Sequence, residues 1–395
     1  MYKTIVTLLK TNKFIYLINS GIKSKLLSIR SEIVRNKNNK ACKRSNIEYK
    51  EEKVIEDIRQ RLKKNLNLNI HNSSNKKLNV FWIGTNYDQD FSGMIQELGK
   101  LCDLRIYYRN KNTYGFVSNT NKDLAIVKRE NDISILESVR IANEQAPIDI
   151  IIGQFWANYI SSSTLKSIKE MGIIIINISM DDRLPEMWKP NSGAQGLGDS
   201  QDLVLTTMKE SCEWYEQRGI SSIYWQLASS GNIFFPNDYK DIDVSFIGNN
   251  YGYRGKLISH LLNNNIKVEA YGNGWPNGYA NQTKSREILS RSKISIGVGT
   301  IGHSRKITTM KLRDFDVPMS GAVYITTFSH ELQELYKKNE EIMFYRSPDE
   351  LKEKINYLLN NNKELEKIGQ NGRNRALLEH SWEHRFNFIF DIING

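Results

Sequence analysis

Cysteine is scarce in this sequence: Cys42, Cys102 and Cys212 are the only three in 395 residues. An odd number, widely spaced, argues against a disulfide framework, and no cysteine or histidine stands at metal-ligand spacing. A reducing, cytoplasmic setting and no bound metal are therefore expected. No run of about 18 apolar residues occurs, so no membrane-spanning helix is expected. No small-residue cleavage site follows the first apolar residues, so no signal peptide is expected. No short fixed repeat is present, which sets solenoids aside.

What remains is ordinary for a globular chain with a substantial core: 39% hydrophobic and 25% charged residues. The length suits one large or two medium domains. The net charge of +11 is unevenly placed. Residues 1–77 hold 19 Lys and Arg against 6 Asp and Glu, while the rest hold 36 against 38. The basic character belongs to an N-terminal extension. Within it, residues 1–35 read as a helix of apolar and basic residues. Residues 36–46 read as a polar loop, 48–65 as a charged helix, and 65–77 as an Asn-rich linker. An interfacial basic helix on an anionic membrane and a helix packed on the body are both open readings. Nucleic-acid binding is disfavoured, because the extension has few aromatics for base stacking and the body is slightly acidic.

From Leu78 onward, short apolar runs alternate with helical patterns. Strands are predicted at 78–84, 104–108, 148–153, 173–178, 202–206 and 223–226, with helices near 91–100, 133–146 and 161–171. A second series places strands at 244–248, 267–271, 293–298, 323–326 and 342–345. This alternation predicts two parallel, doubly wound α/β sheets covered on both faces. The boundary is expected within 229–240, giving an extension 1–77, an N-terminal domain 78–235 and a C-terminal domain 236–395. The chain reads as helical after Pro348, with Trp382 and Phe386 able to anchor the last helix on the first domain.

Ligands of such sheets bind at the carboxyl ends of strands, and several polar groups fall there. Lys311, Arg313 and Asp316 follow one another ahead of the 323–326 strand, a set suited to a ligand with both hydroxyls and phosphates. Gly297-Val298-Gly299-Thr300-Ile301-Gly302 follows a strand and precedes an expected helix. It matches the dinucleotide fingerprint literally. It sits on the third strand of its domain, where that fingerprint belongs on the first, so no NAD or FAD is expected. Its glycines still offer backbone N–H groups to phosphate, with His303, Arg305 and Lys306 just beyond. Arg254 falls at a helix start after Gly248, where a guanidinium can hold two phosphate oxygens. Asp181 and Asp182 follow the 173–178 strand directly, where they either act on a ligand or cap a loop.

The run Arg313-Asp314-Phe315-Asp316-Val317-Pro318-Met319-Ser320-Gly321 resembles the Arg-x-Phe-acid-x-Pro-x-x-Gly signature of the CgeB-like (spore-maturation-type) glycosyltransferases. The resemblance runs on through Glu331–Tyr336, Tyr345–Leu351 and His380–Phe386, and covers roughly 78–390. It implies a GT-B fold, two Rossmann-like domains facing a cleft, without a cofactor or a metal. It implies a nucleotide sugar as donor and a cell-surface glycan, lipid-linked or protein acceptor. By the same resemblance the donor site includes Gly248, Arg254, Arg313 and Asp316, and the glycine run with its basic neighbours, Gly299, Gly302, His303, Arg305 and Lys306, is expected to join them. Asp316 would accept hydrogen bonds from the ribose, and Asp181 or Asp182 would serve the transfer. The chain departs from the pattern in two places. Asp316 stands where the family has Glu, and Thr308 stands where retaining relatives carry a second acid. A non-catalytic sugar-nucleotide-binding module is the rival reading. The expected location is cytoplasmic, peripheral on the inner face of the membrane.

Overall fold

In the computed structural model, residues 13–66, 77–85, 88–118, 122–182, 191–300 and 308–394 are described. The chain divides into two units, one of Lys37–Ile233 with Glu379–Gly395, the other of Phe234–Leu378 with Met1–Asn36.

The first unit is built on six parallel strands: β1 (Asn79–Ile83), β2 (Asp103–Ile106), β5 (Ile150–Gly153), β6 (Ile174–Ser179), β7 (Leu203–Thr206) and β8 (Ser222–Tyr224). Their spatial order is β2-β1-β5-β6-β7-β8. β5 and β6 are near-continuous isoleucine runs, buried at every residue. That is the pattern of strands covered on both faces. A small hairpin, β3 (Tyr108–Asn110) and β4 (Thr113–Tyr114), interrupts the α/β alternation. Nothing in the apolar pattern anticipates it. The closing helix Trp382–Asn394 belongs to this unit: Trp382 and Phe386 are fully buried, and Trp225 lies 5.7 and 5.6 Å from their rings.

Two expectations needed correction here. The polar stretch 36–46 is not a loop, for the helix Lys13–Arg44 continues through it. The stretch is rich in Asn and Lys but has no Pro or Gly to break a helix. Cys42 is buried, and Trp214 Nε1 donates to Asn39 Oδ1 at 2.8 Å. The helix expected near 133–146 begins nine residues earlier and spans Leu124–Gln145. The Asp123 side chain caps it, accepting from Ala125 N at 2.8 Å. Its apolar period was disguised. Ile126, Ile133 and Ile141 are exposed, while Asn131 occupies the buried stripe and bonds Val117 O and Tyr159 O.

The second unit holds five parallel strands: β9 (Ile242–Ile247), β10 (Glu269–Tyr271), β11 (Ser292–Ile296), β12 (Val323–Thr327) and β13 (Met343–Tyr345). Their order is β10-β9-β11-β12-β13. In both units the order reverses once, between β1 and β5 in the first and between β9 and β11 in the second. At such switch points the loops leaving two neighbouring strands diverge to opposite faces and leave a crevice for a ligand. No helix among the described residues is long and apolar enough to cross a membrane.

Candidate functional site

The switch point of the second unit is framed by backbone contact. Gly248 N donates to Tyr271 O at 2.8 Å, and a Cβ on Gly272 would stand 2.5 Å from the Gly248 carbonyl. The loops leaving β9 and β10 therefore pass with no room for a side chain between them. Asn250 N to Asn273 O at 2.8 Å and Trp275 Nε1 to Gly248 O at 2.7 Å complete the seam. Trp275 buttresses this loop, which accounts for an aromatic at the end of β10.

The seam fixes the start of the helix Arg254–Asn263. Arg254 is only 4% exposed. Its guanidinium lies 4.2 Å over the Tyr251 ring, and Nη1 donates to Asn249 O at 3.1 Å. Arg313 opens the helix Arg313–Met319 and reaches the same place. It donates from Nη1 to Ile247 O at 2.6 Å and from Nη2 to Val298 O at 3.1 Å. It thereby ties together the chain leaving β9 and the chain leaving β11. Both guanidiniums sit against Phe246, at 5.8 and 5.6 Å from the ring centroid. The point where a Cβ on Gly248 would stand is 2.7 Å from Arg313 Nη1 and 3.2 Å from Arg254 Nη1. Only glycine leaves space for the pair.

Two like charges are thus held together at a strand switch point. Neither guanidinium donates to a carboxylate among the described residues, and the Nε of each is buried without a partner. The adjacent carboxylate, Asp314, is committed elsewhere. It accepts from Lys311 N at 2.7 Å and from the Tyr324 hydroxyl. Burial and the neighbouring Arg313 pull the Arg254 guanidinium down to about 10. Thr309 is also buried, with an unpartnered hydroxyl. It lies at the base of the loop leaving β11, where its N donates to Gly299 O at 3.1 Å. Buried donors without acceptors, beside two guanidiniums that hydrogen-bond no described carboxylate, have the chemistry to take an anion that presents several oxygens.

The glycine-rich run contributes differently from its sequence reading. A Cβ on Gly297 would stand 2.1 Å from the Tyr324 hydroxyl, so packing requires this glycine. The Gly299 amide, expected to face phosphate, donates to Thr327 Oγ1 at 2.9 Å. Thr300 pairs antiparallel with Thr308. Gly302, His303, Arg305 and Lys306 lie outside the described residues. Asp316 sits in the first turn of the Arg313 helix and is 7% exposed. Arg313 and Asp314 are not surface charges beside a turn. Arg313 is half-buried and Asp314 fully enclosed.

In the first unit the acid pair divides. Asp182 is 2% exposed and accepts from Ser179 Oγ and Tyr215 OH, each at 2.5 Å, and from Thr206 Oγ1. These bonds knit the end of β6 to β7 and to the helix Lys209–Glu216. Asp181 beside it is half-exposed.

Comparison with known proteins places this geometry. Residues 254–391, beginning at the first of the two arginines, match the sequence profile of the family described as glycosyl transferase-like. No curated protein matches the chain. Sucrose-phosphate synthase from Thermosynechococcus elongatus superposes over 80% of this chain and 98% of its own, with a TM-score of 0.55 at 11% identity. A glycosyltransferase from Rickettsia africae does so over 81% and 98%, with a TM-score of 0.55 at 12% identity. Anabaena HepE in complex with UDP-glucose does so over 80% and 99%, with a TM-score of 0.56 at 11% identity. The chain has the GT-B fold. In GT-B terms the arginine pair belongs to the C-terminal Rossmann-like unit, and Asp181 and Asp182 to the N-terminal one.

Burial pushes the Asp182 carboxyl up from 3.8 to about 6, against the lowering effect of its three hydroxyl donors. The folded state therefore holds this proton more tightly than the unfolded chain. The contribution to stability is fully present below 3.8 and is lost as pH rises through about 6. Between about pH 4 and about pH 7 the wild type should lose on the order of 3 kcal/mol relative to Asp182→Asn. Urea unfolding of both proteins at the two pH values measures this. Parallel pH dependences would contradict it.

Proposed function

We propose that the protein is a glycosyltransferase of the CgeB-like kind, moving a sugar from a nucleoside-diphosphate sugar to a glycan, lipid-linked or protein acceptor. The observation that carries this is the pair of guanidiniums without a carboxylate at the second unit's switch point, inside the segment that matches a glycosyltransferase-like profile. Breaking the anomeric C–O bond leaves negative charge on the departing diphosphate. Two fixed cations, Arg254 buried and Arg313 half-buried, stabilise that charge without reorganising. In this reading they take the place that a divalent metal holds in other transferases, and no cofactor is needed. Asp316, one turn beyond Arg313, accepts hydrogen bonds from the ribose hydroxyls. Of the acid pair, Asp181 is the one with solvent access and so the one able to meet a substrate. Asp182 holds its loop.

A donor-binding module without turnover is favoured by one specific feature. Thr308 stands where retaining relatives carry an acid, and its hydroxyl cannot take a carboxylate's charge. Turnover separates the two readings. Thermal unfolding of the full chain with UDP, GDP and their sugars should show a rise that grows with ligand concentration for one nucleotide series. Hydrolysis of that sugar nucleotide marks the enzyme. Asp316→Ala should weaken both the nucleoside and the diphosphate by roughly ten- to a hundred-fold. No shift with any nucleotide would overturn the proposal.

We also propose that residues 1–77 hold the protein on an anionic membrane surface. The helix Lys13–Arg44 carries nine basic residues and one acid. Leu26, Ile29 and Ile33, spaced to share a face, are 61, 57 and 62% exposed. Each basic residue near such a surface is worth about 1 kcal/mol. The full chain should sediment with phosphatidylserine vesicles and not with phosphatidylcholine vesicles. Serine at 26, 29 and 33 together should reduce the bound fraction severalfold. Equal sedimentation of the two proteins would refute the assignment.

A further inference from the structure

The carboxyl end of β5 is where the first unit's strand order reverses, and the loop that leaves it is unusually well held. Lys128 Nζ donates to Ala157 O at 2.7 Å, and Asn131 Nδ2 to Tyr159 O at 3.0 Å. Asp132 takes both the amide and the hydroxyl of Ser161, at 2.8 and 2.6 Å. These three residues lie on one side of the helix Leu124–Gln145. From another direction, Ala157 N and Asn158 N donate to Gly193 O and Ser192 O at 3.2 and 3.0 Å. A loop gripped from two directions is preorganised, as a binding surface must be.

That loop displays Trp156 stacked on Tyr159, with ring centroids 6.4 Å apart and planes at 25°. Trp82, Trp214, Trp225 and Trp382 are fully buried in cores. Trp156 keeps part of its surface open, at the ligand end of a sheet. A second feature lies against the same loop. Gln195 is 5% exposed, yet neither its amide oxygen nor its nitrogen has a hydrogen-bond partner. Its neighbour Gly196 has no room for a Cβ, which would stand 2.8 Å from Ala157 Cβ. The backbone that carries Gln195 therefore packs against the aromatic loop at Ala157. A buried amide left without partners is destabilising, so such a group calls for an occupant.

We propose that Trp156 on Tyr159 is the floor of a pyranose subsite, and that the acceptor of the proposed reaction is accordingly a carbohydrate. One face of a pyranose ring is a patch of C–H bonds, weakly positive, and fits the negative face of an indole. Its edge carries vicinal hydroxyls that both donate and accept, as an amide such as Gln195 does, directly or through a water. A lipid tail would need a wider apolar channel than one stacked pair supplies. A peptide would need free backbone donors, and those of residues 157–161 are already bonded. Only the word acceptor rests on the glycosyltransferase reading, since the subsite itself is argued from this unit alone.

The test is saturation-transfer NMR on the full chain with methyl glycosides of glucose, galactose and N-acetylglucosamine, with UDP binding followed separately by thermal shift. At least one glycoside should receive saturation in its ring C–H protons. Trp156→Ala should weaken it by roughly three- to ten-fold or more. Trp156→Phe should retain most of the binding, and Gln195→Met, which keeps the volume and removes the amide, should weaken it. UDP affinity should be the same in all four proteins, which also reports that the variants are folded. If UDP binds and no glycoside does, the subsite is wrong and the transferase reading stands. Glycoside affinity unmoved by Trp156→Ala would also overturn the subsite. If glycosides bind and no nucleotide does, the transferase reading fails and the subsite stands.

Discussion

Arg254 and Arg313 face the same small space above Phe246, and everything around them keeps them there. Gly248 supplies the room, Gly272 lets the next loop press against it, and Trp275 braces the seam. Asp314, next to Arg313 in the chain, accepts its hydrogen bonds from the Lys311 amide and the Tyr324 hydroxyl instead. A folded protein would ordinarily separate two desolvated cations or place a carboxylate between them. The arrangement is costly in the free protein, and in the proposed function an anion with several oxygens offsets the cost. Such stored cost is characteristic of sites rather than of scaffolds.

The contrast with Asp182 is instructive. It too is a buried charge without a counter-ion, but three hydroxyls complete its hydrogen bonding, and it ties the end of β6 to its neighbours. One buried charge is satisfied and structural, whereas the arginine pair retains unpartnered nitrogens at a strand switch point. Burial alone does not separate these cases. Completeness of hydrogen bonding does.

The parallel sheets were legible because buried strands of this kind write themselves as unbroken apolar runs, as in Ile174–Ser179. The helix starting at Leu124 was not, because four large apolar residues on it face water and an asparagine faces the core. Arg254 and Arg313 could each be picked out, one after a glycine-ended strand and the other within a family-like run. That they meet over Phe246 could not, since 59 positions in the chain separate them and only the sheet order brings them together. The local roles within the glycine run were not legible. Gly297 is needed for the Tyr324 hydroxyl, and the Gly299 amide is used by Thr327, neither of which leaves a trace in the spacing of glycines. The Trp156 platform carries no sequence signal beyond an aromatic after a strand.

The central claim is that Arg254 is held against its own electrostatic interest for the sake of a ligand. Arg254→Met, close in volume and uncharged, separates stability from binding. The unfolding midpoint of the ligand-free variant should equal or exceed that of the wild type, because desolvation and repulsion by Arg313 are both relieved. Its affinity for UDP should fall by roughly ten-fold or more, with uridine much less affected. A variant that melts several degrees lower and binds UDP as tightly as the wild type would contradict the account, and would make Arg254 part of the scaffold.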